Sequence, residues 1–185
     1  MALTPWDSLA TEFVVDNPWY RLRRDTVRLP SGRIVDDYFV AERDDVVLVF
    51  AVTPDDHAVF VHQWKQGRRA FYTELPGGMC DPGEEAVATA GRELLEETGY
   101  ACESLHELGR FEPDPTKISN AIVAFLGLGA RQVAEPVWDE QEELEVRLLP
   151  VGGLHAAVRA REITPAGTVA TIYRALDELG RITVS

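Results

Sequence analysis

At 185 residues, 45% hydrophobic and 26% charged, the chain has the size and composition of one folded domain, with room for an arm or small subdomain. A formal net charge of −13 excludes a general nucleic-acid binder, because phosphate backbones are held by clustered Lys and Arg; it still allows a phosphate ligand whose charge is met by metal ions. No apolar run is long enough to span a bilayer, the start MALTPWDSLATEF lacks the basic and apolar regions of a leader, and Cys80 and Cys102 have no zinc or C-x-x-C spacing. The expectation is a cytoplasmic protein with no membrane or nucleic-acid partner.

The first third reads as strands. WYRLRRDTVRLPSGRIVDDYFVAERDD alternates apolar and polar residues around a Pro30-Ser31-Gly32 turn, which is a hairpin signal. VVLVFAVTPDDHAVFVHQW follows as two apolar strands joined at Thr53-Pro54-Asp55-Asp56. Near Asp81 the period becomes helical, and AIVAFLGLGA and LEVRLLP return to strand-like runs. Two helices close the chain, one near 151–160 and one in PAGTVATIYRALDELG, where Val169, Ile172, Tyr173, Leu176 and Leu179 recur at three- and four-residue steps before Gly180. Sheets interrupted by one central helix and finished by helices define a mixed α/β or α+β layered fold.

The chemistry concentrates in PGGMCDPGEEAVATAGRELLEETGY, Pro76 to Tyr100. The helix starts either at an Asp81 cap, with Pro82 in its first turn, or just after Glu84; either start leaves Ala86 to Glu97 helical. At about 100° per residue, Glu93, Glu96 and Glu97 share one face, while Ala86, Ala90 and Leu94 fall at four-residue steps and allow close approach to a sheet. Like charges so placed repel. The stretch is therefore either a solvated acidic face or a cage of oxygen ligands, completed by carbonyls of the Gly77-Gly78 turn, of the kind Mg2+ or Mn2+ requires. Arg92 can orient one of the carboxylates.

From Gly78 five residues lead to Glu84, and seven more lead to Arg92-Glu93-Leu94-Leu95-Glu96-Glu97-Thr98-Gly99-Tyr100. This pattern resembles the Nudix box, G-x5-E-x7-R-E-U-x-E-E-x-G-U, with Tyr100 standing where an aliphatic residue is more usual. The resemblance implies an α/β/α sandwich with a mixed sheet, and a hydrolase of nucleoside diphosphates linked to another moiety. It also implies a divalent cofactor, Mg2+ or Mn2+, with Glu93 and Glu97 as metal ligands, Glu96 as a ligand or water-mediated contact, the Gly77 carbonyl as a further ligand, and Arg92 and Glu84 as supports.

VFVHQWKQGRRAFYTELPGG resembles the lead-in of the ADP-ribose and ADP-sugar pyrophosphatase branch, with Lys65 where Arg is usual. That likeness implies substrate contacts from Lys65 and Glu74; the alternative is a solvated basic turn for Lys65, Arg68 and Arg69, and a strand end for Glu74. Pro115, in FEPDPTKISN, lies where that branch carries a proline, and it favours a nucleotide sugar over a nucleoside triphosphate. In EPVWDEQEELEVRLLP the resemblance makes Glu140 the general base and Glu142 a metal helper, against a plain solvated acidic loop. It further implies a homodimer, with residues 1–45 as an antiparallel strand region that forms it and 46–185 as the hydrolase domain. Trp6 or Trp19 would then stack on adenine, or else fill the core or the dimer interface. The function expected is attack of water on one phosphorus of ADP-ribose or another nucleotide sugar. The alternatives are a catalytically silent nucleotide sensor, or a hydrolase of NADH or a dinucleoside polyphosphate.

Overall fold

The structure, a computed structural model, describes residues 3–138 and 143–182. It divides into two compact units: Met1–Asp44 with Glu112–Asn120, and Asp45–Phe111 with Ala121–Ser185.

The first unit is an antiparallel sheet of β1 (Asp7–Asn17), β2 (Tyr20–Arg28) and β3 (Ile34–Glu42), in that order. Asn17 makes the first turn, its Oδ1 accepting the N–H groups of Trp19 and Tyr20, both at 2.9 Å. Leu29 and Arg33 close the second turn, and Gly32 supplies the positive φ of 85° that the turn needs. Asp25, buried on β2, accepts Thr11 Oγ1–H at 2.8 Å and Arg23 Nε–H at 3.0 Å, and Arg23 continues to Glu42 at 2.8 Å. The segment 112–120 runs beside β3, where Ala41 N–H donates to Lys117 O and Ser119 N–H donates to Ala41 O. Every residue of β1 is exposed, and Leu9, Phe13, Val14 and Val15 are among them.

The second unit is a sandwich around a six-stranded mixed sheet. Its strands are β4 (Val46–Val52), β5 (His57–Lys65), β6 (Ala70–Glu74), β8 (Ser104–Phe111), β9 (Ile122–Leu128) and β11 (Leu144–Pro150), in the order β11-β5-β4-β9-β8 with β6 on β5. β4 and β9 are parallel and the other pairs antiparallel. Two short strands, β7 (Tyr100–Ala101) and β10 (Arg131–Gln132), pair separately.

Alternation along the strands builds two cores. Val47, Val49, Ala51 and Val59 face Ala90 and Leu94 of α1 (Ala86–Thr98). Phe50, Phe60, Ala124 and Leu126 face Leu154 of α2 (Leu154–Arg159) and Ile172, Ala175 and Leu176 of α3 (Ala166–Glu178). All these side chains are buried, so helices cover both faces of the sheet, as the α/β/α expectation requires. α1 starts after Glu85, the later of the two expected starts, because Asp81-Pro82-Gly83-Glu84 closes a turn of its own, with Glu84 N–H donating to Asp81 O at 2.9 Å. No described helix is long and apolar enough to cross a membrane.

Candidate active site

The site grows from the way α1 meets the chain that leaves β6. After Glu74 the backbone runs beside β4: Val49 N–H donates to Pro76 O at 3.0 Å and Val47 N–H to Gly78 O at 2.8 Å. The carbonyl between them, that of Gly77, accepts no backbone hydrogen bond among the described residues. Glycine is fitted tightly twice here, at Gly77 against backbone and at Gly78 against a side chain. A Cβ on Gly77 would stand 2.0 Å from Val47 O, and one on Gly78 would stand 2.4 Å from the Glu93 carboxyl carbon. On the same turn, Gly77 N–H donates to Glu97 Oε2 at 2.9 Å. The carboxylates of Glu93 and Glu97 thus both lie at the Gly77-Gly78 turn, one packed on it and one bonded to it.

Arg92 organises the remaining acids. Its Nε and Nη2 fork onto Glu84 at 3.3 and 3.1 Å, and its Nη1 donates to Glu93 at 2.8 Å and to Glu96 at 3.0 Å. Thr89, buried on the first turn of α1, donates Oγ1–H to Glu84 Oε2 at 2.8 Å and locks that carboxylate from the other side. The Glu84 carboxyl is held below its ordinary range, first by Arg92 and then by Thr89. The guanidinium is correspondingly raised, above all by Glu84 and then by Glu96 and Glu93. Glu97 is the most enclosed of the acids, with 7% of its surface exposed.

Among the described residues no three carboxylate, imidazole or thiolate groups surround a common point at metal-binding range. The positive charge between Glu93 and Glu96 is Arg92's own. The donor chemistry nevertheless fits a hard divalent cation, because Glu93, Glu96, Glu97 and the Gly77 carbonyl all offer oxygen. Gly78, which leaves room for the Glu93 carboxylate, shapes the turn to that set.

Lys65 and Glu74 meet across β5 and β6. Lys65 Nζ lies 2.5 Å from Glu74 Oε1, and the same oxygen accepts Gln63 Nε2–H at 2.7 Å. Both residues line a cavity of about 430 Å3, together with Arg68, Tyr72, Thr164 and Pro165. Glu74 opens the run Glu74-Leu75-Pro76-Gly77-Gly78, so only Leu75 and Pro76 separate this cavity residue from the turn that holds Glu93 and Glu97. Pro115 belongs to the first unit, where Asp114 accepts the N–H groups of Thr116, Lys117 and Ile118 and folds the segment into a tight turn. Glu140 and Glu142 lie outside the described residues. Trp19 is 85% exposed and Trp6, at 48%, packs edge-on against Tyr38, so neither fills a core.

Sequence reasoning passed over Thr89, Tyr72, Thr164 and Trp138. Thr89 and Tyr72 fall within the stretches already singled out, but no spacing rule marks them. Trp138 falls within EPVWDEQEELEVRLLP and Thr164 just before the last helix, and neither carries a sequence signal of its own.

The chain belongs to the Nudix family: the model of the NUDIX domain matches residues 42–167. It is a pyrophosphohydrolase of that family, and residues 6–41 match a second model, the nucleoside diphosphate sugar hydrolase N-terminal domain. Similar proteins include the ADP-ribose pyrophosphatase of Bacillus subtilis, 29% identical over 92% of this chain and 93% of that protein. The ADP-ribose pyrophosphatase of Mycobacterium tuberculosis is 28% identical over 93% of this chain and 84% of that protein. The methanol dehydrogenase activator of Bacillus methanolicus is 28% identical over 92% of this chain and 93% of that protein. A crystal structure of an ADP compounds hydrolase superposes with a TM-score of 0.86 over 98% of this chain and 100% of its own; at 20% identity it speaks for the fold.

Proposed function

We propose that the protein hydrolyses the diphosphate of ADP-ribose, or of another nucleotide sugar, with Mg2+ or Mn2+ as cofactor. The observation that carries this reading is the meeting of Glu93 and Glu97 at the Gly77-Gly78 turn, with Arg92 and Glu84 fixed beside them. Two relatives named for ADP-ribose, and the match of residues 6–41 to a nucleoside diphosphate sugar hydrolase domain, support the substrate class.

In this reading Glu93, Glu97, Glu96 and the Gly77 carbonyl hold the cation. When bound, the cation neutralises the diphosphate oxygens and lowers the pKa of water. Arg92 orients Glu93 and Glu96, and Glu84 orients Arg92. Lys65 and Glu74 bind the substrate at the cavity they line, with Pro115 as a further contact. Glu140 takes the proton from the attacking water as a new P–O bond forms and the bridging P–O bond breaks, and Glu142 assists at the metal. ADP-ribose yields AMP and ribose 5-phosphate.

The proposal includes a homodimer formed through residues 1–45, with 46–185 as the hydrolase domain. Exposed apolar residues on β1, Leu9, Phe13, Val14 and Val15, support it, because such surface on a folded protein marks an interface. A cytoplasmic location accords with the free thiols of Cys80 and Cys102. The experiment is a panel of ADP-ribose, ADP-glucose, GDP-mannose, NADH and dinucleoside polyphosphates, each with Mg2+, Mn2+ or chelator. Release of phosphomonoester from ADP-ribose that stops with chelator supports the reading; preference for NADH or a dinucleoside polyphosphate overturns the substrate class.

A further inference from the structure

The last carbonyls of an α-helix have no partner within the helix. In α1 those of Leu95, Glu96 and Glu97 are taken. Thr98 Oγ1–H donates to Leu94 O, and Gly99 N–H donates to Leu95 O at 2.8 Å. The remaining donors come from one distant segment, 133–138. Val137 N–H donates to Glu96 O at 2.9 Å, Trp138 Nε1–H donates to Glu97 O at 3.0 Å, and Val133 and Ala134 N–H donate to Gly99 O at 2.9 and 3.2 Å. The approach is close enough that a Cβ on Gly99 would stand 2.1 Å from Ala134 O.

Among the bonds from 133–138, the one from Trp138 differs in kind. It is a side-chain donor, and it falls on the main chain of Glu97, whose carboxylate is already bonded to Gly77 N–H. Glu97 is therefore gripped at both ends: its Oε2 by the glycine turn and its carbonyl by the indole. We propose that Trp138 is a positioning residue for cation binding, holding the turn that carries Glu96 and Glu97 so that their carboxylates need no ordering when a cation arrives. This rests on the reading that Glu93, Glu96 and Glu97 hold a divalent cation. A ligand held in place beforehand binds more tightly than one that must first be ordered.

The test is Mn2+ binding without substrate, followed by electron paramagnetic resonance of the free ion, in wild type, Trp138→Phe and Gln132→Ala. Phe keeps an aromatic ring and loses the N–H. Gln132 donates to Ala134 O at 3.3 Å, so its loss loosens the same segment without touching Glu97. Trp138→Phe is expected to bind Mn2+ about fivefold to tenfold more weakly, the size of one neutral hydrogen bond, with a thermal midpoint within a few degrees of wild type. Gln132→Ala is expected to match wild type. Wild-type affinity in Trp138→Phe overturns the inference, as does an equal loss in Gln132→Ala, which would assign the effect to the packing of the segment. Should Trp138→Phe fail to fold, Trp138→His, which keeps a ring N–H donor, takes its place and is expected to bind within about threefold of wild type; a loss of tenfold or more overturns the inference. A wild type with no Mn2+ affinity removes the cation reading itself.

Discussion

The Glu93 carboxylate occupies the space that any side chain at Gly78 would need, since a Cβ there would stand 2.4 Å from the Glu93 carboxyl carbon. Two residues fifteen positions apart thus depend on each other, and the glycine at the head of the motif and the glutamate in its middle form one device. The obstacle at Gly78 is the end of a flexible side chain, which can move aside, whereas the obstacle at Gly77 is the backbone of β4.

The two glycines should therefore fail differently. Gly78→Ala should keep the fold, with a thermal midpoint within a few degrees of wild type, and lower kcat for ADP-ribose by about a hundredfold as Glu93 is pushed from the turn. Gly77→Ala should be the unstable one, losing about 3 kcal/mol because β4 cannot yield. Thermal melts beside steady-state rates separate the two, and full activity in Gly78→Ala would mean that Glu93 is not needed where it lies.

Glu84 links the site to pH. Its folded pKa lies below the ordinary 4.5, held there first by Arg92 and then by Thr89. A depressed carboxyl stabilises the fold above its unfolded pKa, and that stabilisation is lost as pH falls through the lower folded value. Wild type should thus exceed Glu84→Gln in thermal midpoint at pH 6 to 7, and the gap should narrow as the pH falls below the ordinary carboxyl range and through the lower folded value. No gap between the two at pH 6 to 7 would mean that the Arg92 bond stabilises nothing. Turnover of Glu84→Gln should fall only mildly, since its part is support.

Lys65 shares Glu74 with Gln63, and Lys65 and Glu74 line one cavity. Lys65→Ala should raise KM for ADP-ribose about tenfold with kcat within a factor of about three, the pattern of lost ground-state binding. An unchanged KM would make the Lys65–Glu74 pair a cross-strand contact and no more.

The general base is tested by Glu140→Gln, which should lower kcat about a hundredfold with little change in KM. If Glu142→Gln is crippled and Glu140→Gln is not, the roles are exchanged. If both turn over normally, the proton acceptor lies elsewhere in the chain.

What the sequence made legible follows from what is local. The carboxylates of α1 could be placed on one face because helical spacing is fixed, and Ala90 and Leu94 are buried on the sheet side as that spacing requires. The hairpin of β2 and β3 and the core face of α3, with Ile172 and Leu176 buried, were written in turn residues and apolar periods. β1 was expected only as part of a 1–45 strand region implied by the resemblance: all its residues are exposed, so no buried face imposed an alternation on Asp7 to Asn17. β8 was passed over for a related reason, since Leu108 is its one buried residue. The parallel pairing of β4 with β9 and the reach of Trp138 back to Glu97, across 41 positions, are tertiary choices that no short stretch encodes. Arg92 was expected to orient one carboxylate; it binds Glu84, Glu93 and Glu96 together, and only the folded backbone shows that.

The most direct test of the account compares kcat/KM for ADP-ribose and for ATP, with Mg2+, in wild type and Glu97→Gln. The account predicts that wild type prefers ADP-ribose by at least about tenfold, or about 1.4 kcal/mol of transition-state binding, and that Glu97→Gln loses nearly all turnover while melting like wild type. Near-normal hydrolysis by Glu97→Gln at saturating Mg2+, or a wild type that cleaves ATP best, would contradict it.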